Sequence, residues 1–175
     1  MDTQQGMSSS LASFVDAISE ARGSVASWKA LDDLAKAVVG HRLFTVMVVD
    51  MSAGLARRAY SSHPAEYAVS GTKPIRRDAW FDIVHGEKRS FVANTIEEIA
   101  KVFPDHALIG SLGCGSVVNV PVVLEGDLVA TINLLNSAGF YTPERVARAE
   151  AELAIPARLC CSLAHRFGVK HTRPG

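Results

Sequence analysis

Apolar positions near the start of the chain recur at helical spacing. Leu11, Phe14, Val15 and Ile18 follow the i, i+3, i+4, i+7 rule, with Ser8 to Ser10 as candidate caps and Gly23 as a stop. A second helix is predicted from Val25 to Val39, with Trp28, Leu31, Leu34, Ala35 and Val38 as its stripe and Gly40 at its end. The pattern then changes. Leu43 to Asp50 is β-branched and aromatic, as a buried strand requires. A turn at Ser52 to Gly54 sends Leu55 to Ser62 back as its hairpin partner. Residues 63–90 are less regular, with a short helix expected from Asp78 to Val84. Ser90 to Ala93 reads as a short strand, and Thr95 with Glu98 forms a capping box for a helix from Ile96 to Val102, stopped by Pro104.

The segment Gly113 to Asn136 is a second hairpin, turning near Glu125-Gly126. Its strands are rich in valine, leucine and isoleucine, yet they hold Ser116, Asn119, Thr131 and Asn133. Buried polar groups need partners from backbone, water or a bound molecule. Simple alternation across a short turn puts Ser116, Val118, Val120, Thr131 and Asn133 on one face. Asn119, Pro121, Ala130, Ile132 and Leu134 then share the other, and one extra residue would reverse the grouping. Thr142-Pro143-Glu144 opens a last helix. Its seam of Val146, Ala149, Leu153, Pro156, Cys160, Leu163 and Phe167 is expected to face another helix, widened by Ile155 and Leu159, with a bend at Pro156.

The organisation is a single domain over 8–167, between a loose tail at 1–7 and a polar tail at 168–175. Its 175 residues are 48% apolar and 21% charged, as in an ordinary globular chain. Eighteen basic residues balance eighteen acidic ones, so no overall charge draws the chain to nucleic acid or to an anionic membrane. No apolar run is long enough to span a bilayer, and MDTQQGMSSS lacks the marks of a signal peptide. The expectation is a cytoplasmic protein with three reduced cysteines.

Cys114 lies between two glycines at a strand entrance, as an exposed nucleophile or as a small core residue. Cys160 and Cys161 point about 100° apart on a helix and cannot readily bridge. The histidines (41, 63, 85, 106, 165 and 171) have no zinc-site spacing, so no metal is expected. Tyr60, Tyr67, Trp80 and Phe81 supply aromatic bodies of the kind that line small-molecule sites.

The order helix, helix, hairpin, irregular segment, hairpin, long helix resembles the GAF domain. The carriers are Ser116 to Pro121 (SVVNVP), Glu125-Gly126-Asp127, Thr131 to Leu135 (TINLL) and Tyr141 to Glu144 (YTPE). Tyr60 to Tyr67 and Gly71 to Pro74 look like a subgroup of small stand-alone bacterial GAF proteins. The resemblance implies an α+β fold: an antiparallel sheet with the N- and C-terminal helices on one face and a ligand pocket on the other. It implies a sensing module that binds a small molecule without a covalent bond and signals through a partner or a homodimer made by those helices. The expected lining is Ser62, His63, Tyr67, Trp80, Phe81, Ser116, Thr131 and Asn133. Covalent bilin is not expected, because no Cys-His dipeptide occurs. The alternative is a thiol-dependent reductase resembling free methionine-(R)-sulfoxide reductase, with Cys114 as nucleophile. The resolving cysteine of that group has no counterpart near Cys114 in the sequence.

Overall fold

The computed structural model describes residues 2–69 and 71–168. A six-stranded antiparallel sheet has the order β3-β2-β1-β6-β5-β4. Its strands are β1 (Leu43–Asp50), β2 (Leu55–Ser61), β3 (Thr72–Pro74), β4 (Phe91–Ala93), β5 (Ser116–Leu124) and β6 (Asp127–Asn136). One face carries α1 (Asp2–Glu20), α2 (Ser24–Val38) and α6 (Pro143–Gly168). The opposite face carries α3 (Ala79–Phe81), a π-turn at Asp82–Gly86, α4 (Ile96–Ala100) and α5 (His106–Ser111). The α+β architecture expected from the sequence is the one found.

The helix-side core joins Trp28, Leu31 and Leu34 of α2 and Leu153 of α6 to Phe44, Val46, Val118, Ile132 and Leu134 of the sheet. The helical members, Trp28, Leu31, Leu34 and Leu153, are among the residues whose spacing marked the apolar stripes. Thr95 caps α4 through the reciprocal bonds with Glu98 that the sequence predicts, and Pro143 occupies the first turn of α6.

Several boundaries and faces differ from expectation. Residues 2–7, expected as a tail, are helical and belong to α1. The tail expected from 168 begins at the last residue of α6, and 169–175 lie outside the described residues. The α6 seam is not offered outward: Ala149, Leu153 and Cys160 are buried in the helix-side core, whereas Ile155 is 76% exposed. The helix that this seam meets is the chain's own α2, so the expected helix-to-helix contact forms within the chain.

The main correction concerns the second hairpin. Glu125 and Gly126 form the expected two-residue turn, both with positive φ, 53° and 86°, as a type I′ turn requires. Three residues away the register slips. Val122 pairs with Ala130 but Val123 pairs with Leu128, so Val129 is an extra residue. That bulge shifts parity beyond it by one. Asn119 therefore faces the same side as Thr131 and Asn133, and Val118 and Val120 join Ile132 and Leu134 on the helix side. A second bulge lies in the first hairpin, where Val46 pairs with Tyr60 and Met47 with Arg58. It turns Tyr60 into the helix-side core, whereas Arg58, on the turn side of the slip, stays opposite Met47 on the other face.

Candidate functional site

The sheet face away from the long helices is only partly covered. At one end α4 and α5 close it with a small core of Ile99, Ile109, Val117, Leu135 and Cys114. Beyond them the segment that runs from β3 through the π-turn arches over the strands and leaves a cavity of about 260 Å³. This is near the small end of ligand-binding volumes. Its floor is Thr45, Met47, Asn119, Thr131 and Asn133; Trp80 and Phe81 form a wall, and Arg58, Arg76, Asp78 and Asp105 also border it.

A row of hydrogen bonds crosses the floor. Thr45, Asn133 and Asn119 are direct neighbours on β1, β6 and β5. Trp80 Nε1–H donates to Asn119 Oδ1 at 3.0 Å. Asn119 Nδ2–H donates to Asn133 Oδ1 at 2.7 Å, and Asn133 Nδ2–H to Thr45 Oγ1 at 3.1 Å. The row pins the arch to the sheet through one indole. Thr131, one step along β6, has no such neighbour. It stands opposite Met47 and Pro121, and its hydroxyl is fully buried with no hydrogen-bond partner.

At the edge, the Arg58 guanidinium stacks on the Tyr67 ring, 3.8 Å from its centroid. Arg58 Nη1–H donates to Ala68 O at 2.7 Å, and Nη2 lies 3.8 Å from Asp105 Oδ2. Tyr67 O–H donates to the same Asp105 oxygen. Burial, and then the bond to Asp105, push the Tyr67 hydroxyl well above its ordinary pKa. It is a fixed donor, not an acid.

Of the eight residues expected to line a site, Tyr67, Trp80, Phe81, Thr131 and Asn133 border the cavity. Ser62, His63 and Ser116 do not. Ser62 Oγ accepts from Phe44 N–H at 2.9 Å and meets His63 Nδ1 at 2.9 Å, and His63 is exposed. Ser116 O–H is spent on the carbonyls of Asn136 and Ser137, at 3.3 and 2.7 Å. Residue spacing could not reveal this, because the acceptor sits at the end of the partner strand. Sequence reasoning missed Thr45, Arg58, Asp105 and Asn119, the last because it was placed on the opposite face. Thr45 did leave a signal, as the one hydroxyl in the run LFTVMVV.

Cys114 is 3% exposed, packs in the α4–α5 core and has only a 3.9 Å contact to Leu112 O. Burial pushes its thiol pKa up, with Arg42 opposing, which is the direction opposite to activation. Burial likewise pushes Cys160 and Cys161 up to about 12. Iodoacetamide at neutral pH should therefore alkylate Cys114 in the folded protein at least ~100-fold more slowly than in urea, read by peptide mass spectrometry. Equal rates would reopen a nucleophilic role. Among the described residues no group of three His, Cys, Asp or Glu side chains could hold a metal ion, and no helix is long and apolar enough to cross a membrane.

No protein-family model and no curated protein matches the sequence. Solved structures do match the fold. The GAF domain of an Acinetobacter phosphoenolpyruvate-protein phosphotransferase superposes with a TM-score of 0.67 at 13% identity, over 97% of this chain and 98% of that one. The A. aeolicus nlh2 GAF domain in an inactive state gives 0.65 at 9% identity, over 92% and 98%. The GAF domain of a two-component sensor histidine kinase from Bacillus halodurans gives 0.65 at 9% identity, over 82% and 96%. At such identities the likeness speaks to backbone architecture, and on that ground the chain has a GAF-like fold.

Proposed function

We propose that this protein is a small-molecule-sensing module that binds its ligand non-covalently in the cavity between the sheet and the arch. The observation that carries this reading is the Thr131 hydroxyl, buried and unpartnered on the cavity floor. Such a group costs about 1–3 kcal/mol unless something bonds it, and a ligand in the cavity would. The lining groups we assign are Tyr67, Trp80, Phe81, Thr131 and Asn133, with Thr45, Asn119 and Arg58 added. GAF-fold neighbours that come from a sensor histidine kinase and a phosphotransferase support a regulatory role. Output would pass to a partner or a second copy through α1 and α6, where Leu11, Val15, Ile155 and Leu159 are exposed apolar residues.

Native and then denaturing mass spectrometry of the purified protein tests the reading. The expected result is a small mass released on denaturation, and its absence from Met47→Trp, whose indole would fill the floor. The native spectrum also reports whether the protein is a dimer. If the parent carries no bound mass and no metabolite from a broad panel raises its Tm, the proposal fails.

A further inference from the structure

The chemistry of the cavity floor narrows the ligand. An indole N–H can only donate. Because Trp80 meets Asn119 at the oxygen, the Asn119 nitrogen must face Asn133, and the Asn133 nitrogen must face Thr45. One indole thus orients both amides. Each amide spends one N–H in the row and keeps a second. Thr131 adds a hydroxyl with no partner, since the side chains of Met47 and Pro121 beside it offer neither a strong acceptor nor an N–H. The floor is therefore rich in unspent donors, and it carries no charge.

Charge appears among the bordering residues, in equal amounts of each sign: Arg58 and Arg76 against Asp78 and Asp105. Arg58 is engaged with Asp105, Ala68 and the Tyr67 ring. Asp78 accepts from Phe81 N–H at 3.1 Å. Arg76, the remaining cation, is exposed at the border and not on the floor, so an anion reaching the floor would lose its hydration and find no counter-charge there. A hydrocarbon would leave Thr131 unsatisfied. The remaining surface, including Met47, Val49, Ile75, Phe81 and Leu128, is apolar.

We infer that the cavity selects an uncharged, mainly apolar ring compound bearing one acceptor oxygen, such as a ketone or lactone carbonyl, seated on the Thr131 hydroxyl. The inference rests on the reading of the cavity as a ligand site. Three probes of nearly one shape separate the two: acetophenone, benzoate and ethylbenzene. The readout is the Trp80 indole N–H in a proton–nitrogen correlation spectrum, with Trp28, in the helix-side core, as the control for folding.

Acetophenone is expected to shift Trp80 in a saturable way and to leave Trp28 in place. Benzoate should bind more than about tenfold more weakly, and ethylbenzene about tenfold more weakly. Thr131→Val should erase the preference for acetophenone over ethylbenzene, and Thr131→Ser should keep it. Benzoate binding as tightly as acetophenone would overturn the charge selection and leave the cavity as a ligand site. Ethylbenzene equal to acetophenone, or a preference that survives Thr131→Val, would overturn the Thr131 seat. No Trp80 shift with any probe at millimolar concentration would overturn this inference. The wider sensing reading would then stand or fall on the mass-spectrometry and Tm tests alone.

Discussion

Asp32→Ala is expected to destabilise the protein by about 3–5 kcal/mol, a large share of the 5–15 kcal/mol that typically holds a domain together. Asp32 sits on α2 under the sheet and is 6% exposed. Its carboxylate accepts from Tyr60 O–H at 2.8 Å and pairs with His41 Nε2 at 2.9 Å. The carboxylate and the Asp32 carbonyl, 3.2 Å from the same nitrogen, can only accept. His41 Nε2 must therefore carry a proton. Removing the carboxylate strands the buried Tyr60 hydroxyl and leaves the His41 ring with one weaker bond. Urea unfolding followed by Trp28 fluorescence measures the loss. A cost below 1 kcal/mol would show that the network is not structural.

The same group predicts a dependence on pH. Burial alone would raise the Asp32 pKa, but bonds from His41 and Tyr60 outweigh it and hold the carboxyl below its ordinary 3.8. As pH falls, the unfolded chain takes up the proton first. Stability contributed by Asp32 is thus complete above the ordinary carboxylate value and is lost as pH falls through the lower, folded value. Asp32→Asn should remove that part of the acid slope, so that parent and variant converge in stability below pH 3.8. A constant gap across that range would contradict the linkage.

Asn133→Leu is expected to have the second-largest effect. Asn133 is the middle of the row, so its loss strands the Asn119 amide and removes the bond donated to Thr45. Two groups so affected cost about 2–4 kcal/mol together. The variant should also lose any ligand held by the floor. Converting the whole row to apolar residues (Thr45→Val, Asn119→Leu, Asn133→Leu) should recover part of that stability, because partners removed together leave fewer orphans. Binding would not return. Stability that recovers together with binding would mean that the row is only scaffold.

Much of the scaffold was legible from residue spacing. The α2 stripe from Trp28 to Val38, the Thr95–Glu98 box and Pro143 at the start of α6 each act within a few residues of themselves. The strand pair around Glu125-Gly126 was legible for the same reason. β3 was not. It is three residues long, and its pairing with Leu55, Ala56 and Arg57 bridges an irregular stretch with no periodicity of its own. α5 lies beyond Pro104 and is held as much by the packing of Ile109 as by local signals.

The chain order by itself determined that polar groups would lie within apolar strands, and that aromatic residues would precede them. Tertiary structure decided which of those groups meet. Side chains alternate with a period of two, so the extra residue at Val129 moves Asn119 from one side of the sheet to the other, and the slip between Val46 and Met47 does the same for Tyr60. Neither slip changes the composition or the spacing of the strands. Each is fixed only when both faces are packed at once, against the long helices on one side and under the arch held by Trp80 on the other.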